Sequence, residues 1–351
     1  MSTVSIVKCD NYDFENVYNN LKKAMEETTL PKISGKKILI KPNILSDVPP
    51  ELSVSTHPMV LKALIKILKE KGAKKLYVGD SPAIHPPKFK AKKSGIYQIC
   101  EEEENVEWVN FHKDTVKKNL PFVHRKIALT KIIDKVDFSI SLSKCKTHEL
   151  MYTTGAIKNM FGLVPGFNKS KQHVYNPSRK GFAKFICGLF SVSKTEYAIM
   201  DAIVAMEGAG PGNGTPRKVG LLLASNDALA LDISQAIIMG YNPLDIPIIK
   251  FAIKKKLTPT KKIENIEYSN LNANDLIIKD YKRISNKNLS KKRLPPEFLK
   301  DPCIKCKKCI EICPANALSL DNKRIKINEK KCIKCYCCHE VCPANAIKIN
   351  K

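Results

Sequence analysis

A run of four cysteines that occurs twice near the end of the chain constrains its fold more than any other feature. The spacing C-x2-C-x2-C-x3-C-P begins at Cys303 and recurs from Cys332. Eleven of the 18 positions aligned from these two cysteines are identical. Nine of the 13 cysteines lie in the last 50 residues, whereas a secreted disulfide scaffold would be shorter and would not concentrate its thiols at one end. The pattern predicts thiolates that bind a metal centre in a reducing compartment.

The repeat resembles the two-cluster ferredoxins of bacteria over about Asp301 to Lys351. The resemblance implies two [4Fe-4S] clusters, because in that family the fourth cysteine of each run binds the cluster of the other run. One implied ligand set comprises Cys303, Cys306, Cys309 and Cys342, and the other comprises Cys332, Cys335, Cys338 and Cys313. Cys337 has no ligand counterpart in the family, so a free thiol and ligand exchange with Cys338 both stay open. Zinc knuckles, the alternative, would need tetrahedral cysteine pairs separated by a longer loop.

The chain is strongly basic, with 60 Lys and Arg against 34 Asp and Glu and a formal charge of +26. Lysine supplies 54 of these cations and arginine six, whereas a nucleic-acid reader would normally use arginine for bidentate contacts. Only the net charge would support the hypothesis of a nucleic-acid partner, and we do not expect one. Two interpretations remain, namely long-range steering of acidic redox partners or anionic substrates, and a plain solvated lysine-rich surface.

The sequence gives no sign of membrane insertion or export. It contains no run of about 18 apolar residues, the length that a spanning helix requires. The segment Met1–Asp10 lacks the basic start and apolar stretch of a signal peptide. We therefore expect a cytoplasmic protein without a membrane span.

Apolar runs alternate with helical patterns over the first 250 residues, which predicts an α/β fold with a mostly parallel sheet flanked by helices. The predicted strands are Val4–Lys8, Ile38–Lys41, Lys75–Val78, Val106–Val109, Phe138–Leu142, Tyr197–Met200 and Val219–Ala224. Helices are predicted at about Phe14–Glu27, Thr56–Lys71 and Asp227–Met239. Residues 251–300 are rich in Lys and Asn and are interpreted as the end of this domain running into a linker. We predict an α/β domain over residues 1–295 and a small ferredoxin-type α+β iron–sulfur domain over residues 296–351.

Four polar segments follow predicted strands and should gather at one edge of the sheet. Ligands of open parallel sheets bind there, outside the carboxyl ends of the strands. Lys41, Lys144 and Lys146 would attract a carboxylate or phosphate, while His148 and Asp80 are candidates for proton transfer. The segments are Lys41-Pro42-Asn43, Gly79-Asp80-Ser81-Pro82, Ser143–His148 and Asp201.

These segments supply the candidate site residues. The catalytic candidates are His148, Asp80 and Lys144, and the candidates for binding a substrate or cofactor are Lys41, Asn43, Ser81, Lys146, Thr147 and Asp201. The alternative is that strand-end loops are polar merely because they are exposed. Cys145 is open between a nucleophile, a further metal ligand and an inert thiol. The glycine-rich stretch Glu207–Pro216 lacks the third glycine of a G-x-G-x-x-G fingerprint, which favours a flexible loop over this edge.

The first 250 residues resemble the family known as domain of unknown function 362, which is often joined to a ferredoxin module. The resemblance implies an iron–sulfur protein with a redox role. It also implies that Lys158, Asn159 and His173 join the site. Cys145 departs from the family pattern, where an apolar residue is expected. The stretches that carry the resemblance are Lys41-Pro-Asn, Thr56-His-Pro, Gly79-Asp-Ser, Ser143–His148, Gly155-Ala-Ile-Lys-Asn-Met-Phe-Gly, Asp201, Glu207-Gly-Ala-Gly-Pro and Asn226–Asp232.

Two functional hypotheses follow. In the first, the protein is an oxidoreductase that relays electrons between an external low-potential carrier and an unknown anionic substrate or cofactor in the α/β domain. An additional organic cofactor such as a flavin would be compatible with this hypothesis, although no flavin motif is visible. In the second, the protein is a non-enzymatic electron carrier or iron–sulfur scaffold that docks to a partner protein.

Overall fold

A computed structural model describes residues 2–82, 89–166, 168–284, 293–322 and 324–349. One large sheet forms the body of the protein. The strands of the body are β1 (Ser2–Lys8), β2 (Lys37–Pro42), β3 (Lys75–Val78), β4 (Val106–Trp108), β5 (Thr115–Asn119), β6 (Lys126–Thr130), β7 (Phe138–His148), β8 (Tyr152–Thr154), β9 (Thr195–Glu207), β10 (Thr215–Ser225) and β11 (Ile266–Asn270). Its α-helices are α1 (Phe14–Glu26), α2 (Pro58–Glu70), α3 (Ile96–Glu102), α4 (Ile132–Lys135), α5 (Ala156–Asn159), α6 (Asn168–Tyr175), α7 (Arg179–Ser191), α8 (Ala228–Ile238) and α9 (Pro247–Lys255).

The sheet is mixed but mostly parallel, as the sequence predicted. Its strand order is β11-β1-β10-β9-β7-β2-β3-β4, and β8 pairs with β7 off this path. The pairings β1–β11, β2–β3, β2–β7, β3–β4 and β7–β9 are parallel. Strand β10 runs antiparallel to both of its neighbours, β1 and β9. Residues 208–214 join β9 to β10 as a short hairpin connection, which makes that pair antiparallel.

Helices cover both faces of the sheet and create two cores. One core joins α1, α2 and α3 to the sheet, and the other joins α5, α7, α8 and α9 to the opposite face. Helix α2 shows why the local sequence folds as it does. Pro58 opens its first turn and the His57 Nδ1 accepts a hydrogen bond from the Met59 N–H. The helix ends before Gly72, whose φ of +78° is readily adopted by glycine.

Three of the four predicted strand-end segments lie wholly or largely in strands. Strand β2 includes Lys41 and Pro42, β7 continues through Ser143–His148 with all eleven of its residues buried, and Asp201 lies inside β9. The expectation failed because the polar residues were taken to end their strands. Lys144 and Asp201 instead face each other across neighbouring strands as a register pair, so each neutralises the other inside the sheet.

The region after residue 250 belongs to the α/β body as far as residue 284, rather than serving as a linker. Strand β11 pairs with β1 at the sheet edge. The buried Tyr281 donates a hydrogen bond from its hydroxyl to the Met206 carbonyl at 2.8 Å. These contacts bring the chain back to the end of β9 before the C-terminal module begins.

The C-terminal module repeats its backbone as well as its sequence. Lys305 and Lys334 both have φ of 57°, and Lys307 and Tyr336 also lie in the left-handed region. Each cysteine run therefore follows the same path into a short helix. The module contains β12 (Pro296–Phe298), β13 (Leu318–Asp321), β14 (Arg324–Ile327), β15 (Ile347–Ile349), α10 (Lys308–Ile312) and α11 (Cys337–Glu340), with β12 paired to β15 and β13 to β14.

None of the helices among the described residues has the length and apolar character needed to cross a bilayer.

Candidate functional site

The cysteines of the C-terminal module surround two separate cavities. No group of three or more His, Cys, Asp or Glu side chains in the described ranges is arranged to hold a metal ion. The outer cavity is lined by Cys303, Cys306, Cys309 and Cys342. The inner cavity is lined by Cys313, Cys332, Cys335 and Cys338, and also by Cys337.

These cavities fit a pair of four-cysteine clusters, since each brings together three cysteines of one run and the fourth of the other. The fourth cysteines are held alike in both halves. The Ala317 N–H points at the Cys313 Sγ and the Ala346 N–H at the Cys342 Sγ, each at 3.3 Å. Such donors favour the thiolate form that binds iron. The grouping is the one that the ferredoxin resemblance implied, and the ligand assignment itself stays a prediction.

The two cavities differ in exposure. Cys306 of the outer cavity is exposed. Cys335 and Cys338 of the inner cavity are buried, each 8% exposed. Cys337 lines both the inner cavity and a larger pocket in the α/β body. The inner cavity is therefore the one that adjoins the body.

This larger pocket, the interdomain pocket, is lined by residues of both domains. The α/β body contributes most of the lining, and the C-terminal module closes the remaining side. The body residues are Lys41, Asn43, Ile44, Leu45, Asp80, Pro82, His148, Thr154, Lys158, Asn159, Phe161, Gly162, Lys169, Ser170, His173 and Phe182, and those of the module are Ile312, Cys337, Glu340 and Val341.

Direct contacts hold the module against the body. The Asn213 side chain, at the tip of the β9–β10 connection, donates to the His339 carbonyl at 2.8 Å. The Lys146 ammonium donates to the carbonyls of Val54 and Pro211 at 2.6 and 3.2 Å, which ties down the same connection. The glycine-rich segment thus lies against α11 and serves as a docking element.

One wall of the pocket contains an ion pair between Lys41 and Asp80 that further hydrogen bonds hold in place. The Lys41 ammonium donates to Asp80 Oδ2 at 2.7 Å and to Asn159 Oδ1 at 2.8 Å. Asp80 Oδ2 also accepts the Ile44 N–H at 2.7 Å. Burial lowers the pKa of Lys41, and the Asp80 charge opposes that shift. A side chain at Gly162 would have its Cβ 2.0 Å from Asp80 Oδ1, so only glycine leaves room for this pair.

Two further lysines reach the pocket without a partner. Lys158 lies on α5 and Lys169 on α6, and within the described ranges neither ammonium has a hydrogen bond or an ion pair. Lys169 is only 8% exposed. Burial lowers the pKa of Lys158 to about 8 and that of Lys169 to about 7. An anion entering the pocket would supply the missing partner for both.

His148 reaches the module from the end of β7. Its Nδ1 accepts N–H groups of Leu150 and Met151 at 3.2 and 3.4 Å. The neutral ring therefore carries its proton on Nε2, which lies 3.4 Å from Glu340 Oε1. Burial, followed by the charge of Lys158, lowers the pKa of His148 well below its ordinary value. A polar contact thus crosses the domain boundary at the pocket.

An aromatic wall completes the pocket. His173 stacks on Phe182 with ring centroids 4.3 Å apart, and Phe161 meets Phe182 edge-on at 5.5 Å. Burial lowers the pKa of His173 to about 3, so its ring is neutral near pH 7. Two buried lining atoms, Asn43 Oδ1 and Thr154 Oγ1, have no hydrogen-bond partner in the part of the chain that the structure describes. The pocket therefore offers cations, an apolar face and unsatisfied polar atoms to a ligand.

The structure places only part of the predicted residue set in this pocket. His148, Asp80, Lys41, Asn43, Lys158, Asn159 and His173 line it. Ser81 does not, because its hydroxyl lies 2.9 Å from His112 Nε2 and accepts the Gly166 N–H. Lys146 is held by the two carbonyls described above, and the Thr147 hydroxyl lies 3.5 Å from the Met206 carbonyl.

Lys144 and Asp201 form a separate buried network. The Lys144 ammonium donates to Asp201 Oδ2 at 2.8 Å and to the Tyr12 hydroxyl at 3.0 Å. Asp201 also accepts the Tyr12 hydroxyl and the His57 N–H. Because this network is internally satisfied and lines none of the cavities described here, it holds strands together. Cys145 is likewise buried and burial raises its pKa to about 12, so it stays a thiol.

Several pocket residues were missed by sequence reasoning. Lys169 was among them, although its i, i+4 spacing from His173 on α6 was a usable signal. Phe161 and Phe182 read as ordinary core residues. Glu340 and Cys337 were hidden within the cysteine run, because only the docking of the module turns them toward the body.

Comparison with known proteins agrees with this two-part organisation. The family model described as "Domain of unknown function (DUF362)" matches residues 38–236, and the model of a 4Fe-4S dicluster domain matches residues 302–346. A thylakoid-associated protein of Synechocystis sp. is 29% identical over 265 residues, which cover 74% of this chain and 81% of that protein.

Two solved structures also show similarity. A structural-genomics protein of Thermotoga maritima is 16% identical with a TM-score of 0.43, over 63% of this chain and 57% of that one. The lactate racemase apoprotein of Thermoanaerobacterium thermosaccharolyticum is 12% identical with a TM-score of 0.41, over 64% of this chain and 54% of that one. This chain thus spans less than two thirds of either structure.

Proposed function

Since the chain belongs to the DUF362 family and carries a 4Fe-4S dicluster domain with an electron-transfer role, we propose that it is an iron–sulfur oxidoreductase. It would pass electrons between an external one-electron carrier and an anionic small molecule in the interdomain pocket. One observation carries this proposal. The pocket has unpaired lysines on one wall and Cys337, a residue of the inner cysteine cavity, on the other.

The eight cysteines of the inner and outer cavities would hold two [4Fe-4S] clusters. When bound, such clusters exchange single electrons at low potential. The exposed outer cavity would face the carrier, and the inner cavity would face the pocket. Cys337 would not be needed as a ligand, since four other thiols already line the inner cavity.

The chain's own residues supply the remaining functions. Lys158 and Lys169 would bind the anionic end of the ligand. The Lys41–Asp80 pair, braced by Asn159, would keep that wall fixed while the ligand enters and leaves. His148 would hold a proton at Nε2 within the pocket. The aromatic wall would exclude water around the ligand, which strengthens the lysine contacts.

Three finer points belong to this proposal. An organic cofactor, of unknown identity, could occupy the pocket in place of a substrate. The external carrier would be a low-potential redox protein of acidic surface, because the chain carries a formal charge of +26. The compartment would be the cytoplasm, where reduced thiols persist for cluster binding.

Anaerobic purification followed by mass spectrometry of released small molecules tests the proposal. We expect a retained anion that is lost in a Lys158→Gln, Lys169→Gln double variant and kept in a Lys254→Gln control, whose lysine is exposed on α9. A protein with an empty pocket and a stoichiometric protein partner would instead indicate a non-enzymatic electron carrier.

A further inference from the structure

We propose that the ligand of the interdomain pocket is a carboxylate with a flat, conjugated carbon skeleton, such as an aromatic or α,β-unsaturated acid. This inference rests on the proposed function and deepens it. It is drawn from the two lysines that face the pocket and from the placement of its aromatic wall.

Two lysines of the described lining face the pocket without a hydrogen bond or an ion pair, whereas Lys41 is already paired with Asp80. An entering anion would therefore meet the ammonium groups of Lys158 and Lys169. His148 and His173 would not compete for it, since burial keeps both rings neutral near pH 7.

The cations and the aromatic wall lie side by side. The Lys169 ammonium is 6.0 Å from the centroid of the Phe161 ring. Phe161 in turn meets Phe182 and Phe185 edge-on at 5.5 and 5.7 Å, which fixes its orientation. A ligand whose carboxylate pairs with Lys169 would therefore lay its body along Phe161. Aromatic rings favour such offset or edge contacts with another π system.

The module side of the pocket carries two aliphatic side chains beside its one carboxylate, Glu340, which already contacts His148. Ile312 and Val341 line that side next to Cys337. A carbon skeleton would thus lie against the wall shared with the inner cavity.

Unsatisfied groups show that the pocket is suited to hold a ligand. Thr154 is 3% exposed, and its Oγ1 has no hydrogen-bond partner among the described residues. Lys169 is 8% exposed, and its ammonium makes no hydrogen bond or ion pair within the same ranges. Buried polar groups normally find partners, so these atoms mark where a bound molecule would make its contacts.

Equilibrium dialysis of the anaerobically purified, cluster-loaded protein tests this class with three probes. Cinnamate has both features, cinnamamide keeps the flat skeleton without the charge, and succinate keeps charge without the skeleton. We expect cinnamate to bind about tenfold or more tightly than either other probe, in line with one charge-assisted contact. Lys169→Gln should remove that preference over cinnamamide, while Lys254→Gln should keep it.

Three results would overturn the inference. If cinnamamide bound as tightly as cinnamate, the pocket would not require a carboxylate. If succinate bound more tightly than cinnamate, the pocket would not require a flat skeleton. Failure of all three probes would also reject this class. The proposed function is judged separately, by whether the purified protein retains an anion that depends on Lys158 and Lys169.

Discussion

Two lysines that make no hydrogen bond or ion pair with the described residues give the pocket its chemical character. Lys158 and Lys169 are easier to deprotonate than lysines in water because burial disfavours their charged form. Such groups are costly in an empty protein and become favourable when an anion is present. At the scale of single residues, this is the strongest sign that the pocket binds a ligand.

Anion binding should weaken as pH rises. Both lysines bind an anion only when protonated. The pKa is about 8 for Lys158 and about 7 for Lys169. Lys158 faces Glu340, Lys41, Cys337 and Asp80, and Lys169 faces Asp80, Lys41 and Lys158. Affinity for cinnamate, measured by dialysis, should therefore fall between about pH 6 and about pH 9. An affinity that is constant or rises over this range would contradict the assignment.

Breaking the Lys41–Asp80 pair should destabilise the α/β body strongly. Asp80→Asn leaves the Lys41 charge buried without its counter-ion, which costs about 3–5 kcal/mol. Denaturant unfolding followed through the fluorescence of Trp108, the single tryptophan, would report the loss. Glu264→Gln, in a surface pair with Lys262 whose side chains are over two-thirds exposed, is the control. Equal effects of the two substitutions would show that the buried pair is not structurally important.

At the scale of elements, the short helix α5 depends on a residue far along the chain. Asp232 on α8 accepts the N–H groups of Ala156 and Ile157 at 2.5 and 3.1 Å. A Cβ on Gly155 would lie 2.2 Å from the same carboxylate. Asp232 therefore positions α5 and, with it, Lys158 and Asn159 of the pocket.

The stability contributed by Asp232 should decline with rising pH. Burial raises the pKa of Asp232 from 3.8 to about 7, although the two N–H donors oppose this shift. The folded state thus holds this proton more tightly than the unfolded state, so the contribution is complete below about pH 4 and is lost as pH rises through about 7. The stability difference between the wild type and Asp232→Asn should shrink over that window. A difference that grows with pH would contradict the sign.

Element patterns were predictable only where the signal was local. Apolar runs located the cores of β2, β3 and β10, and the ferredoxin resemblance carried by the cysteine spacing grouped the thiols that line the two cavities. The polar ends of β7 and β9 were not predictable, because Lys144 is compatible with a buried strand only through Asp201 on the neighbouring one. The pocket itself could not be predicted from the sequence, because it forms only when α11 docks onto the body.

At the scale of the whole molecule, the outer cavity would be the exposed end of the proposed electron path. Ile304 beside it is 66% exposed, and Lys305, Lys307 and Lys308 are exposed as well. An apolar residue ringed by lysines fits an acidic carrier, which the surrounding positive field would steer into place.

Charge reversal at this face should slow electron entry. With Lys305, Lys307 and Lys308 changed to Glu, reduction by an acidic flavodoxin should slow by about tenfold or more at low salt. Stopped-flow absorbance of the clusters measures the rate, and dithionite should still reduce them in the variant. Reversal of the exposed Lys254, Lys255 and Lys256, at the C-terminal end of α9, serves as the matched control. Equal slowing by both triple variants would place the docking site elsewhere.

The central claim is that the C-terminal module holds two [4Fe-4S] clusters, one of them beside the pocket. The most direct measurement combines iron and sulfide analysis with electron paramagnetic resonance on one anaerobically purified, dithionite-reduced sample. The account predicts about eight iron and eight sulfide per chain and the spectrum of two interacting reduced clusters. A colourless protein that carries zinc, or iron without paramagnetic clusters on reduction, would contradict it.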